Sequence, residues 1–224
     1  MVSADYRLLP ESSGMDMLED IADVWKWVRN DLQAHLNSQT GSTMGIDLAK
    51  VAVLGDSSGG YCAVQSTLTQ PAGSFKLKGQ CRVPQNLFGM PMLPAEMIDA
   101  HMEKVEPGTI VTSVTPMERV DLAVAMMQYA RYLEFLGRDE RLYPVKAVSK
   151  ADNMPPTFTW HGTNDSVLPM GGSIRFVEAF KQKHPNTPVR LSLHPGDHGF
   201  DGELTLESEG FKEDFKFMSD HCLG

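Results

Sequence analysis

The sequence predicts an α/β fold in which a mostly parallel sheet is covered by helices on both faces. Short apolar runs at residues 2–9, 50–54, 157–161 and 189–193 are typical of strands, whereas residues 17–36 carry apolar side chains at helical spacing. Strands and helices then alternate along most of the chain. A length of 224 residues, with 42% apolar and 22% charged residues, suits one globular domain with a sizeable core.

The remaining predicted elements follow the same two periodicities. Helices are expected at residues 61–68, 115–129, 131–136, 173–183 and 210–218, and a further strand within 82–92. Residues 93–150 are rich in Met and Glu and show no strong strand, so they form either a lid or ordinary crossover packing. We predict a single domain over residues 1–224, with 93–150 as the candidate lid insertion.

Composition argues against several classes of function. The net charge of −9 disfavours nucleic acid or an anionic membrane as a partner. Three cysteines without a C-x-x-C pair suggest neither a disulfide framework nor a zinc site, and no apolar run approaches the ~20 residues that span a bilayer. His194 and His198 lie four apart, but Pro195-Gly196 between them is incompatible with a helical metal pair, so no metal or cofactor is predicted. Residues 1–7 lack the basic-then-apolar order of a signal peptide, so we expect a cytoplasmic protein.

The strongest chemical signal is the segment Gly55-Asp-Ser-Ser-Gly59, which follows the apolar run 51–54 and precedes the predicted helix 61–68. A buried strand that turns sharply into a helix at Gly-x-Ser-x-Gly is a nucleophile elbow. The nucleophile would be Ser57, and the backbone N–H of Ser58 would help to bind an oxyanion. Both glycines are expected to be needed because the strained turn leaves no room for neighbouring side chains. The alternative is a Gly/Ser-rich turn without chemistry.

A serine nucleophile needs a base to take its proton and a carboxylate to orient that base. Asp165 follows the predicted strand 157–161, and His198 follows the predicted strand 189–193. Because the carboxyl ends of parallel strands meet at one edge of a sheet, both side chains are expected beside Ser57. The order Ser, Asp, His along the chain is the order found with the nucleophile elbow.

Five other residues are weaker candidates for the acid or the base. His161 ends its strand and is expected to pack or hydrogen-bond locally, and His194 lies before a Pro-Gly pair that should point it elsewhere. Asp197 adjoins the candidate base on the same loop, from which it cannot easily reach the far ring nitrogen. Asp152 and Asp201 have no strand directly before them.

Taken together, these residues give a sequence that resembles the hormone-sensitive-lipase-like group of α/β hydrolases, the fold-3 esterases, and especially its fungal-type members. The resemblance covers nearly the whole chain. It rests on Asp5-Tyr-Arg-Leu-Leu-Pro-Glu11, Gly55-Asp-Ser-Ser-Gly-Gly60, the Asp165 loop and His198-Gly-Phe200. It implies an α/β-hydrolase fold and a serine carboxylesterase, with Ser57 as nucleophile, Asp165 as orienting acid and His198 as base.

The chain departs from that group in two ways. Its members carry a His-Gly-Gly-Gly loop upstream of the Asp-Tyr-Arg-Leu strand, which supplies most of the oxyanion hole, and this sequence has no such segment. By the resemblance, the chain is N-terminally truncated and lacks the first three strands, the first helix and any N-terminal cap. Ser58 replaces the usual Ala, which is a mild change because its backbone donates. The missing strands imply marginal stability alone, or a homo-oligomer.

Two functions follow as expectations. The first is hydrolysis of small acyl esters through an acyl-enzyme, as in a carboxylesterase or lipase-like serine hydrolase, with the Met-rich segment 93–150 shaping an apolar acyl pocket. The second is a catalytically impaired or non-catalytic relative that binds a ligand or partner in the old cleft. Losing one oxyanion donor typically lowers the reaction rate by ~10²–10³-fold, so the missing His-Gly-Gly-Gly loop favours the non-catalytic function. The intact set of Ser, Asp and His favours the first.

Overall fold

Helices make up most of the regular structure that is described. A computed structural model describes residues 1–41, 44–48, 51–68, 90–114, 118–205 and 207–221. Its α-helices are α1 Gly14–Asn30, α2 Leu32–Thr40, α3 Ser58–Leu68, α4 Glu96–Met102, α5 Val120–Gln128, α6 Tyr132–Leu136, α7 Pro144–Val148, α8 Gly171–Lys183 and α9 Phe211–His221. Its strands are β1 Thr157–Gly162 and β2 Val189–His194, and 3₁₀ turns cover Glu140–Leu142 and Phe200–Glu203.

The two strands confirm the parallel pairing that the sequence predicts for this part of the chain. β1 and β2 lie side by side, with Thr157 opposite Val189 and Gly162 opposite His194. Helix α8 connects them and packs its apolar face, including Phe176 and Phe180, against the helix before β1. Within the described residues the sheet consists of these two strands. The α/β fold class is confirmed, and the carboxyl ends of both strands lie at the same edge.

Two of the predicted strands are wrong for the residues that can be described. Residues 2–9 have no ladder, although the Leu8 N–H donates to the Val111 carbonyl at 2.7 Å. Residues 51–54 are extended without a ladder, and Leu54 is 79% exposed. An apolar pattern produces a strand only where a neighbouring strand satisfies the backbone groups, and none lies beside these segments within the described ranges. Most of the predicted strand 82–92 falls outside those ranges, and residues 90–92 are not in a strand.

The predicted helices are confirmed with shifted ends and one break, and residues 115–117 of the helix predicted over 115–129 lie outside the described ranges. The helix expected over 17–36 divides at Asp31, in a stretch of low helix propensity, into α1 and α2. Ser13 starts α1 earlier than predicted because its side chain caps the Asp16 N–H while the Asp16 carboxylate accepts from the Ser13 N–H, a capping box. None of the described helices is both long and apolar enough to cross a bilayer.

Two apolar clusters hold these elements together. The first lies where α1 meets α4, α5 and α6, and its buried members are Leu9, Leu18, Ile21, Ile98, Leu122, Ala125, Met126, Leu136 and Leu142. The second lies between α7 and α8, and its buried members are Val148, Ala151, Met154, Phe176, Val177 and Phe180. The segment 93–150 therefore contributes to both clusters. Its role as a lid stays a prediction.

A buried carboxylate fastens the N-terminal segment to the 93–150 segment. Only 2% of the Glu11 side chain is exposed, and its two oxygens accept from the Arg119 guanidinium at 2.9 and 2.6 Å. His101 Nε2 also donates to Glu11, at 2.7 Å. Burial raises the pKa of this carboxyl, but the hydrogen bonds from Arg119 and His101 outweigh burial and hold the pKa below its ordinary value.

We expect Glu11→Gln to lower the free energy of unfolding by about 2 kcal/mol at pH 7, because it removes one charge from a buried pair. A carboxyl with a lowered pKa in the folded state stabilises the protein above its unfolded pKa, and this contribution is lost as pH falls. The difference between wild type and variant should therefore shrink between about pH 5 and pH 3. Urea unfolding at several pH values measures it.

Glu134→Gln is the matched control for this experiment. Glu134 pairs with Arg131 at 2.9 Å, but 41% of its side chain is exposed. Surface pairs of this kind contribute ~0–1 kcal/mol, so the control should unfold close to wild type. A Glu11→Gln protein that matches Glu134→Gln at pH 7 would contradict the assignment of a stabilising buried pair.

Candidate active site

The backbone at Ser57 has the strained geometry expected of a nucleophile turn. Ser57 has φ +50°, which is uncommon for a residue other than glycine. Helix α3 begins at the next residue, and the Gly60 and Tyr61 N–H groups donate back to Asp56 and Ser57. The turn therefore presents the Ser57 side chain at an exposed position at the start of a helix.

Only one of the two glycines around Ser57 is sterically required. A Cβ placed on Gly55 would collide with the Gly59 carbonyl and would lie 2.7 Å from the Gly60 nitrogen. A Cβ placed on Gly59 meets no atom within 4 Å. The expectation that both glycines are needed is thus confirmed at Gly55 and wrong at Gly59, which lies on the open side of α3.

Gly55→Ala should lower turnover roughly 10²-fold, because the turn must open to relieve the collision and Ser57 is displaced with it. Gly59→Ala, a substitution of the same size in the same turn, should keep near wild-type turnover and stability, since alanine is favoured in helices. Initial rates with a chromogenic ester compare the two variants. Equal losses in both would contradict the steric assignment.

The structure brings the three predicted site residues together. Ser57 Oγ lies 3.0 Å from His198 Nε2, and His198 Nδ1 lies 3.0 Å from Asp165 Oδ2. An ionised carboxylate can only accept, so Nδ1 carries the proton and Nε2 can accept from the Ser57 hydroxyl. This is the order of hydrogen bonds that a Ser-His-Asp triad would need.

Asp165 is fixed by its own loop. Its Oδ1 accepts from the Val167 N–H at 2.9 Å and from the Leu168 N–H at 2.7 Å, which leaves Oδ2 for His198. Burial raises the pKa of this carboxyl, but the two backbone N–H groups and His198 outweigh burial and lower it. Asp165 therefore stays ionised at neutral pH, as an orienting carboxylate must.

His161 approaches the same carboxylate, a contact that the sequence did not predict. Its Nε2 lies 2.7 Å from the Leu168 carbonyl and 3.3 Å from Asp165 Oδ2, and its Nδ1 lies 2.8 Å from Ser173 Oγ. The carbonyl can only accept, so Nε2 carries the proton and Ser173 donates to Nδ1. The expected local hydrogen bonding of His161 is confirmed. The four-residue spacing between His161 and Asp165, across the end of β1, is the sequence feature from which this contact could have been predicted.

His194, the other histidine that the sequence disfavours as the base, lies in a separate polar cluster. His194 Nε2 donates to Asp214 Oδ2 at 2.9 Å, and Arg190 donates to Asp214 Oδ1 at 2.7 Å. The Asp214 side chain is fully buried, and its pKa is lowered because hydrogen bonds outweigh the effect of burial. The His194 ring also stacks on Phe200, with centroids 5.5 Å apart. His194 thus anchors β2 to α9 and points away from Ser57, as predicted.

Comparison with known proteins gives this geometry a family. A family model described as the alpha/beta hydrolase fold matches residues 1–200. The chain belongs to the α/β-hydrolase fold family. This membership confirms the resemblance and the fold that the sequence predicted.

Two relatives of this α/β hydrolase are fungal proteins named as esterases. It is 28% identical to probable carboxylesterase M8 of Phoma sp., over 99% of this chain and 74% of the relative. It is also 28% identical to probable carboxylesterase clz11 of Cochliobolus lunatus, over 75% of this chain and 85% of the relative. The chain is therefore a carboxylesterase-like member of the family.

A third match is to a much larger enzyme. The non-reducing polyketide synthase ascC of Acremonium egyptiacum is 24% identical over the whole of this chain, which corresponds to 12% of the synthase. No solved structure is significantly similar to the chain.

Ser58, the predicted oxyanion donor of this α/β hydrolase, has an additional contact. It is the first residue of α3, and its Oγ lies 2.7 Å from the Tyr6 hydroxyl. Burial raises the pKa of Tyr6, so the phenol stays protonated and can donate. The neighbouring Arg7 fastens this segment to α1 through Asp16 and Asp20, at 3.0 and 2.9 Å. The alanine that is usual in the resembled group could not bond Tyr6.

Proposed function

We propose that this chain hydrolyses carboxylic esters of small acyl substrates through an acyl-enzyme on Ser57. The observation that supports the proposal most is the continuous hydrogen-bond path from Ser57 Oγ through His198 to Asp165, with both distances at 3.0 Å. Ser57 and Asp165 lie 108 positions apart in the sequence, and Asp165 and His198 lie 33 apart, yet the three meet in the order that acyl transfer requires. The names of the two esterase relatives agree with this chemistry.

In the first half of the reaction, His198 Nε2 takes the proton of the Ser57 hydroxyl as Oγ bonds to the ester carbonyl carbon. The carbonyl oxygen becomes an oxyanion, and the Ser58 N–H is the proposed donor to it. The bond between carbon and the leaving alkoxy oxygen then breaks. His198 gives its proton to that oxygen, and the alcohol leaves.

In the second half, water replaces the alcohol. His198 takes a proton from water as the hydroxide oxygen attacks the acyl carbon, and the bond to Ser57 Oγ breaks. The proton passes from His198 back to Oγ, which restores the starting state and releases the acid. Asp165 stays ionised throughout, holds the Nδ1 proton and stabilises the transient imidazolium.

We propose a class of substrate, small neutral esters, and no individual compound. The net charge of −9 favours small neutral substrates over anionic ones. The segment 93–150 supplies many apolar side chains to the first cluster, and we propose that its Met-rich part also lines the acyl side of the site. Comparing acetate, butyrate and octanoate esters of p-nitrophenol would measure the acyl preference.

Labelling with a fluorophosphonate tests the proposal directly. The wild-type protein should form one covalent adduct, located on Ser57 by peptide mass spectrometry, and should release p-nitrophenol from p-nitrophenyl acetate in proportion to the unlabelled fraction. Labelling without turnover would contradict hydrolysis. Neither labelling nor turnover would contradict the proposal and favour a non-catalytic relative that binds a ligand or partner.

A further inference from the structure

The loops that carry the acid and the base remain paired beyond the end of the sheet. Past the last register pair, Gly162 opposite His194, the Thr163 N–H donates to the His194 carbonyl at 2.8 Å. The Asn164 N–H then donates to the Gly196 carbonyl at 3.0 Å. A Cβ on Gly162 would lie 2.5 Å from that Gly196 oxygen, so glycine is needed for the close approach. The two loops therefore leave the sheet as a joined pair.

Asp197 adds a side-chain link at the far end of this pair. Its Oδ1 accepts from the Ser166 N–H at 2.7 Å, from Ser166 Oγ at 2.9 Å and from the His198 N–H at 2.7 Å. Ser166 directly follows Asp165, and Asp197 directly precedes His198. The link between the neighbours therefore runs alongside the 3.0 Å contact between the acid and the base themselves.

We propose that Asp197 is a positioning residue that holds the Asp165 loop and the His198 loop at the separation needed for their hydrogen bond. The proposal rests on the proposed function, since it assigns a role to a residue that need not touch the substrate. One carboxylate oxygen receives backbone N–H groups from both loops, so removing it releases both loops at once. Without the link, His198 can turn or withdraw from Asp165 while the sheet beneath stays intact.

Asp197 is suited to this role rather than to that of the acid. Its Oδ1 is occupied by the backbone of Ser166 and His198, and it contacts the main chain of His198 rather than its ring. The pKa of Asp197 is lowered by the Ser166 and His198 N–H groups, which agrees with an ionised acceptor at neutral pH. The carboxylate is solvent-exposed, so its removal should leave the apolar clusters undisturbed.

The kinetic test compares Asp197→Ala with Asp197→Asn. Asp197→Ala should lower kcat for p-nitrophenyl acetate by roughly tenfold or more, with KM within about twofold, because the base is misplaced while the substrate pocket is unchanged. Asp197→Asn keeps an oxygen that can accept from both backbone N–H groups, so it should retain most of the wild-type kcat. Asp152→Ala, at an exposed aspartate that precedes β1 and lies outside both loops, is the matched control and should behave as wild type.

A second measurement does not depend on turnover. Amide hydrogen exchange should speed up at Ser166 and His198 in Asp197→Ala, stay close to wild type in Asp197→Asn, and stay unchanged in the control. If the wild-type protein showed no turnover, the proposed function would fail, but this exchange pattern would still be evidence for the link between the two loops.

Four outcomes would overturn the proposal. The first is an Asp197→Ala protein with kcat within twofold of an active wild type. The second is unchanged exchange of both amides in that variant. The third is equal loss of kcat in Asp197→Ala and Asp197→Asn, because the negative charge rather than the shared acceptor would then be responsible. A fall in thermal midpoint that accompanies the loss of kcat would indicate general destabilisation and would also count against a positioning role.

Discussion

Ser57→Ala should reduce turnover of p-nitrophenyl acetate by about 10⁴–10⁶-fold and abolish covalent labelling by a fluorophosphonate. The variant lacks the oxygen that would attack the ester, and His198 then has no proton to take from the protein. The backbone strain at Ser57 should be slightly harder to hold with alanine, so a small loss of stability is expected as well. Stopped or continuous assays at saturating ester, with circular dichroism to confirm folding, measure both effects.

Ser219→Ala is the control for the hydroxyl itself. Ser219 lies on the exposed surface of α9, so the same chemical change there should leave rate and labelling unchanged. Retention of the label in Ser57→Ala would place the reactive nucleophile elsewhere. Equal slow rates in wild type and Ser57→Ala would show that the hydrogen-bonded arrangement does not produce turnover in this chain.

Asp165→Asn should lower kcat by about 10⁴-fold with little change in fold. The asparagine oxygen can still accept from the Val167 and Leu168 N–H groups, so the loop is expected to keep its shape. The amide cannot stabilise the imidazolium, and it can present a donor where His198 needs an acceptor at Nδ1. The base would then hold the wrong tautomer toward Ser57. Single-turnover acylation rates separate this effect from substrate binding.

The pH dependence gives this variant a second signature. The backbone N–H groups of Val167 and Leu168, together with His198, lower the pKa of Asp165, so the wild-type carboxylate stays charged at neutral pH and protonates only at a lower pH than an ordinary aspartate. Its favourable contribution to stability is present above the unfolded pKa and is lost as pH falls through the lower folded value. Asp165→Asn should therefore be less stable than wild type at pH 7, and the difference should shrink as the pH falls below the ordinary range of an aspartate. A constant difference across that range would contradict the assignment.

The sequence patterns pointed to three residues that the structure brings together, but also to two strands that do not form within the described residues. Ser57, Asp165 and His198 each follow a short apolar run, and the turn chemistry at Gly55 and the Pro-Gly before Asp197 placed them on loops. β1 and β2 formed because each has the other as a ladder partner. Residues 2–9 and 51–54 have equally good patterns but no such partner within the described ranges, and a local pattern carries no information about its neighbour.

The contacts that sequence reasoning missed share one physical origin. His161, Ser166 and Asp197 were visible as polar residues near the candidate acid and base, but their roles depend on how closely two separate loops approach. That approach is set by the register of β1 and β2 and by the absence of a side chain at Gly162. Propensity and spacing describe one segment at a time, so a link between segments appears only once the register is known.

Ser57 is anchored differently from Asp165 and His198, and this difference predicts how the site responds to heating. Asp165 and His198 lie on the loops that follow β1 and β2, whereas Ser57 lies directly before α3. Helix α3 is tied to the chain before α7 by hydrogen bonds from Tyr61 and Gln65 to the Leu142 and Arg141 carbonyls, both at 2.9 Å. Residues 51–56, which lead into Ser57, form no strand ladder with any other described residues. Warming should therefore shift α3 against the strands first. Inactivation is then expected at a lower temperature than melting of the helices, so a protein that still has its helical circular dichroism signal would already have Ser57 displaced from His198.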